Sequence, residues 1–248
     1  MLAWTCWQDG VPPGIWVAIV DIVGGHADAS MAVVVRALAV SDEEVSYLRV
    51  GRAAALGVDV VIAAGDLSFE YLGALVDLVD RPGVFVPGNH DPDVSGFSKH
   101  ASLSLRAGMP KDWRELAGFV NADGRVVDVG GVRVAGLGGC LRYRPGPNQW
   151  SELEQARRGR RLVRGARRLR SRDGRGVDIL LTHAPPRHCG DREDQPHRGF
   201  DCLHEVVAAL QPRLLVHGHI HPYGQPVPDR LLGETAVVNV VGHRVLVL

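Results

Sequence analysis

Val58-Asp59-Val60-Val61-Ile62-Ala63-Ala64-Gly65-Asp66 is almost wholly apolar and β-branched until it stops on a glycine and a carboxylate. A short apolar run that ends on a turn signal reads as a strand buried on both faces. Four other segments share the pattern. Ala32–Val40 leads to Ser41-Asp42, and Val84–Pro87 to Gly88-Asn89-His90-Asp91. Val177–Leu181 leads to Thr182-His183, and Leu214–Val216 to His217-Gly218-His219-Ile220-His221. Ligand sites of open α/β sheets lie where strand carboxyl ends converge. Asp, Asn and His together form a mixed oxygen and nitrogen donor set suited to divalent first-row metals.

Between these runs the period changes. Glu44–Leu56, Phe69–Val79, Ser151–Arg170 and Asp201–Leu210 read as helices, while Asp93–Arg114 reads as irregular. Val126–Val129 and Val132–Ala135 flank Gly130-Gly131 as a hairpin, and Ala236–Val240 with Arg244–Val247 reads as a terminal one. Helices between strands, with hairpins in the second half, predict an α/β fold of two stacked mixed β-sheets flanked by helices. Residues 1–30 differ in texture, with Trp4, Trp7, Trp16 and Pro12-Pro13, and read as an N-terminal extension before a domain spanning 31–248, with an extra edge strand packed on that domain as the alternative.

The chain has 248 residues, 46% of them hydrophobic, enough for one substantial core. Its formal charge is zero, so nothing global demands a polyanionic partner. Cys6, Cys140, Cys189 and Cys202 are scattered, which fits reduced thiols and a cytoplasmic setting. Ile15–Val23 is too short to span a membrane and carries Asp21.

Within the site segments each residue type has a use. The Asp66 carboxylate can bridge two cations, and the Asn89 amide oxygen can bind one of them. His90 can reach a bound anion, with Asp91 hydrogen-bonded to it to fix its tautomer. Spacing of two along an extended segment can aim His217, His219 and His221 together, and His219 and His221 can serve different metals ~3.5–4 Å apart. Arg142, Arg144 and His197 are candidate contacts for a substrate anion. His26, His100, His188, His204 and His243 lack a partner motif and read as surface or satisfied polar residues.

In order and spacing these segments resemble the motif series of the calcineurin-like metallophosphoesterases from about Ala32 onward. The resemblance implies a four-layer double β-sandwich over 31–248 with a dinuclear centre. It assigns Asp42, Asp66 and His221 to one metal, and Asp66 as bridge, Asn89, His183 and His219 to the other. His90, supported by Asp91, would contact the phosphate and assist the leaving group. The first motif departs from the family's Asp-x-His, because Glu44 stands at the histidine position. Asp21 is a rival first motif, but Val23 occupies its histidine position, and it lies 45 residues before Asp66 against 24 for Asp42. Glu44 as a harder oxygen ligand favours Mn²⁺, with Fe, Zn and Mg as other candidates. The expected activity is hydrolysis of a phosphomonoester or phosphodiester, the substrate a small molecule or nucleotide. Two other readings remain: a non-catalytic scaffold weakened at its first metal site, and a nuclease using the ten arginines of residues 157–175.

Overall fold

The computed structural model describes residues 34–93, 118–225 and 227–248, together with the backbone of the short strands Val17–Ala18, Phe97–His100, Leu103–Arg106 and Met109–Lys111. Strand Val60–Ala63 is buried throughout. Its alternation sends Val60 and Ile62 to one face and Val61 and Ala63 to the other. It lies inside a six-stranded sheet ordered Val17–Ala18, Gly242–Val247, Arg36–Ser41, Val60–Ala63, Gly83–Phe85, Phe119–Asn121. A second six-stranded sheet runs Arg230–Leu232, Thr235–Asn239, Leu214–His217, Ile179–Thr182, Val132–Leu137, Val126–Val129.

The two sheets bury their facing sides against each other. Ala37, Ala39, Val60, Ile62 and Val84 of the first meet Val134, Ile179, Leu181, Val216 and Val238 of the second in one apolar layer. On the outer side of the first sheet, Leu38, Val61 and Phe85 pack on Leu72 and Leu75 of α1 (Phe69–Val79). On the outer side of the second, Leu180 and Leu215 pack on Leu162 of α2 (Glu152–Asp173) and on Leu203 and Val206 of α3 (Cys202–Leu210). The expected stack of two mixed sheets between helices is the architecture found.

Helix α2 starts on a capping box: the Ser151 hydroxyl accepts from the Glu154 N–H at 3.3 Å, and the Glu154 carboxylate accepts from the Ser151 N–H at 2.7 Å. Two otherwise unpaired backbone donors are thereby satisfied. Ser151→Ala is expected to cost about 1 kcal/mol, a fall in unfolding temperature of roughly 2–4 °C. An unchanged melting curve would show that the cap contributes nothing.

At the far end of α2, the buried Arg133 guanidinium donates to Asp173 at 2.7 and 3.0 Å and to Asp128 at 2.9 and 3.0 Å. These bonds hold Asp173 down to about 2. A depressed carboxylate contributes stability above its unfolded pKa and loses it as pH falls through the folded one. The stability gap between the parent and Arg133→Leu should therefore be full at neutral pH and shrink below about pH 4. Urea titrations across that range test it, and a gap independent of pH would contradict it.

Three local expectations need correction. Glu44–Leu56 is not one helix; it is a π turn over Leu48–Arg52 and a 3₁₀ turn over Ala54–Leu56. Gly51 takes φ 86°, a left-handed value that a glycine reaches without penalty and that interrupts the helical ladder. Asp93–Arg114 is not uniformly irregular, since the backbones of Phe97–His100, Leu103–Arg106 and Met109–Lys111 pair as a small antiparallel sheet. The expected terminal hairpin is absent. Thr235–Asn239 instead hairpins with Arg230–Leu232 and pairs in parallel with Leu214–His217, while Gly242–Val247 lies antiparallel on Arg36–Ser41 in the other sheet. Asn239 marks the crossing: its amide donates to the Ile220 carbonyl at 2.7 Å, and its oxygen accepts from the Val241 N–H at 3.0 Å. Residues 1–30 lie outside the described residues except for Val17–Ala18, a strand paired with Val245 and Leu246.

Candidate metal centre

Parallel pairing aligns the carboxyl ends of Arg36–Ser41, Val60–Ala63 and Gly83–Phe85, from which Asp42, Asp66, Asn89 and His90 project. In the second sheet Ile179–Thr182 and Leu214–His217 are likewise parallel, and His183 and His219 follow them. A backbone bond joins the two groups of loops, Gly139 N–H donating to the Pro87 carbonyl at 2.8 Å, and within the second group Gly218 N–H donates to the His183 carbonyl at 3.1 Å. The Asn148 amide, arriving from the 140–150 loop, donates to the Gly88 and Asp91 carbonyls at 2.9 and 3.1 Å.

The approach is close enough to require glycine. A Cβ on Gly88 would stand 2.1 Å from Asp66 Oδ1, and one on Gly218 would stand 2.0 Å from the Ser41 hydroxyl. Any side chain at either place would displace the carboxylate or the loop beside it.

Ligand atoms of Asp42, Asp66, His183 and His219 all lie within 4.8 Å of one another. His183 is fully buried; its Nδ1–H donates to the Ala64 carbonyl at 2.7 Å. That leaves Nε2 facing two oxygens, Asn89 Oδ1 at 3.1 Å and Asp66 Oδ2 at 3.3 Å. A lone pair aimed at two acceptors needs a cation among them, either a proton or a metal, and the donor chemistry suits a divalent metal. In His219 the Nε2–H donates to the Pro196 carbonyl at 2.8 Å, so Nδ1 is the atom that could coordinate a metal. His221 stands beside this group, with Nε2 3.8 Å from Asp42 Oδ1 and Nδ1 3.1 Å from Glu43 Oε1.

The electrostatics agree with that placement. Burial opposes the charge on Asp66, yet the adjacent His183 imidazole and the His90 N–H hold its carboxyl down to about 2. Burial likewise opposes a charged His183, and the Asp66 carboxylate overrides it, raising the imidazole to about 9. Burial and the neighbouring His183 push His219 down to about 3, so it stands neutral and ready to coordinate.

Several candidates sit elsewhere than the sequence suggests. Glu44 is turned away from the cluster: it accepts from the Ser68 hydroxyl at 2.5 Å and pairs with Arg49 at 3.4 Å. Glu43 takes the place beside His221 instead. Asp91 is not hydrogen-bonded to His90; its Oδ2 accepts the N–H groups of Gly88 at 2.7 Å and Asp66 at 2.9 Å, fixing both loops. Burial raises the Asp91 carboxyl. His90 is exposed, its N–H donates to Asp66 Oδ1 at 2.8 Å, and it lines a cleft with Asp66, Ser68, Phe69 and Asp91. His217 does not join His219 and His221, because its ring is buried with Nδ1 on the Gly218 carbonyl at 2.9 Å, and burial lowers it to about 4.

Of the anion candidates, Arg142 is occupied by Glu154 at 2.8 Å, and Arg144 is exposed with its guanidinium 5.3 Å above the Tyr143 ring. His197 does come to the site. It bonds Asp194, and its ring centroid lies 5.3 Å from that of His219. Tyr143, read with Arg142 and Arg144 as a contact for a substrate anion, meets Asn89 instead, its hydroxyl accepting from the Asn89 amide at 3.5 Å, and the Pro196 carbonyl escaped the sequence reading. A backbone carbonyl leaves no side-chain signature, so no motif could have shown it.

Comparison with known proteins places the fold and the family. An uncharacterized protein of Haemophilus influenzae is 27% identical over 183 residues, covering 65% of this chain and 72% of its own. Among solved structures, TT1561 of Thermus thermophilus superposes with a TM-score of 0.55 at 17% identity, covering 84% of this chain and 90% of its own. Another matches at a TM-score of 0.57 and 15% identity, covering 84% and 91%. The sequence model for calcineurin-like phosphoesterases matches residues 23–223, and the chain therefore belongs to that family.

Proposed function

We propose that the chain hydrolyses a phosphoester, monoester or diester, of a small molecule or nucleotide, using two divalent cations. The observation that carries this reading is the convergence of Asp42, Asp66, His183 and His219 within 4.8 Å from two different sheets. A scaffold needs no such convergence of buried carboxylate and imidazole, and it costs desolvation.

Asn89, His183 and His219 would hold one cation and Asp42 and His221 the other, with the Asp66 carboxylate available to both. Three oxygen donors and three imidazoles would suit a divalent metal such as Mn²⁺, Fe²⁺, Zn²⁺ or Mg²⁺, and Glu44, the ground for preferring Mn²⁺, is turned away. Bound there, such cations supply Lewis acidity that brings a water's pKa near neutrality and neutralises charge on phosphate oxygens. The protein does the rest. Glu43 accepts the Nδ1–H of His221 and keeps its Nε2 aimed at Asp42. Asp91 clamps the Gly65-Asp66 and Gly88–His90 turns in register. His90, exposed at the cleft, donates a proton to the departing ester oxygen.

The test is turnover of p-nitrophenyl phosphate, bis-p-nitrophenyl phosphate and cyclic nucleotides with Mn²⁺, Mg²⁺, Zn²⁺ and Fe²⁺, alongside elemental analysis. About two transition metals per chain with metal-dependent turnover is the supporting result. No metal retained after Mn²⁺ loading, and no turnover, would favour the scaffold reading and end this one. Among the described residues no helix is long and apolar enough to cross a membrane.

A further inference from the structure

We propose that the outer face of α2 docks the phosphate backbone of a nucleic-acid duplex. The helix packs Gln155, Gly159, Leu162, Val163 and Ala166 onto the second sheet and α3. Opposite them, Arg157, Arg160, Arg164, Arg167, Arg168 and Arg172 are all exposed. At 100° per residue these six occupy an arc of about 140°, centred away from the buried side, and span about 22 Å of helix axis.

No acidic residue lies between Gln155 and Arg172, and none of the six forms an ion pair among the described residues. By contrast Arg158, on the sheet-facing side of the same helix, pairs with Asp123, and Arg133, Arg142, Arg187 and Arg244 each pair with a carboxylate. Like charges at i, i+3 and i, i+4 destabilise a free helix. Such a stripe, on a chain of zero formal charge, is complementary to a regular row of anions rather than to one ion.

The stripe's chemistry separates the possible polyanions. A bilayer-binding helix offers an apolar face to the lipid, but the apolar side of α2 is committed to the core, and Leu153 alone is exposed before the stripe. Single-strand binders stack bases on aromatic rings. Residues 151–175 contain none, and the nearby Trp150 ring is covered by Arg158 at 4.2 Å. Point charges without rings or grease read a duplex backbone irrespective of sequence.

Fluorescence anisotropy with labelled DNA duplexes of about 20 base pairs and unrelated sequences tests this, with anionic vesicles as the competing probe. Expected are similar affinities for the unrelated duplexes and a slope of log K against log salt near −4 to −5, about five phosphates neutralised. Changing Arg160, Arg164, Arg167 and Arg168 together to Glu should weaken binding by about 100-fold or more. Hydrolysis of bis-p-nitrophenyl phosphate by that variant should match the parent. If the Glu set fails to fold, the same four positions changed to Gln should still weaken binding and lower the slope. Asp66→Asn should keep duplex binding, so loss of hydrolysis and loss of docking are separate outcomes. Absence of binding at about 50 mM salt, full binding by the substituted proteins, or capture by vesicles and not by duplex would overturn the proposal.

Discussion

Asp66→Asn is expected to leave the fold intact and to lower phosphoesterase turnover on the order of 10³-fold. The carboxylate makes two distinct contacts: Oδ1 accepts the His90 N–H at 2.8 Å, and Oδ2 faces His183 Nε2 at 3.3 Å. An asparagine of the same shape can keep its carbonyl oxygen on His90. Its amide then donates to His183 Nε2, consuming the lone pair that faces Asp66 and Asn89. The loop keeps its hydrogen bonds while the negative charge at the centre disappears. Paired measurements decide the matter: unfolding temperature should stay within about 2 °C of the parent, while metal content and kcat fall together. Parental turnover with the variant would place the chemistry elsewhere in the molecule.

Gly65→Ala is expected to cost about 2–5 kcal/mol, the sum of a left-handed backbone penalty and overpacking. Gly65 takes φ +95°, and a Cβ there would lie 2.5 Å from the Gly88 nitrogen and 2.8 Å from His183 Nδ1. Both neighbours are fixed, one as backbone and the other by its bond to the Ala64 carbonyl. Gly174→Ala is the control, because φ is +76° but nothing lies within 4 Å. It carries the backbone penalty alone, about 1–2 kcal/mol. Thermal or urea unfolding of both variants measures the difference. If the two lose equal stability, the crowding at Gly65 contributes nothing.

How far the sequence reached depends on what each feature left in it. Asp42, Asp66, Asn89, His183 and His219 were legible because each ends a strand whose apolar run marks it, and strand ends converge. Helix α1 was read over Phe69–Val79, the bounds found, because its apolar spacing is regular. Sheet membership of the last two strands was not legible: Thr235–Asn239 and Gly242–Val247 are adjacent and apolar in any pairing, and alternation says nothing about the partner. Glu44 misled for a similar reason. It was read at the histidine position of the first motif, but Asp42 takes a positive φ (61°), and it is Glu43 that stands beside His221. Side-chain direction after such a turn is a property of the backbone, which residue spacing does not encode.

Half of the ligand group hangs from one sheet and half from the other, and the contact between Asp42 and the His219 N–H closes a span of 177 residues. A folding intermediate with only one sheet formed would hold a pair of loose chelating arms, too far from their counterparts to grip an ion. Cation affinity is therefore a gauge of whether the two halves have docked, and chelator-dependent melting would report the closure of the whole sandwich rather than the state of any single loop.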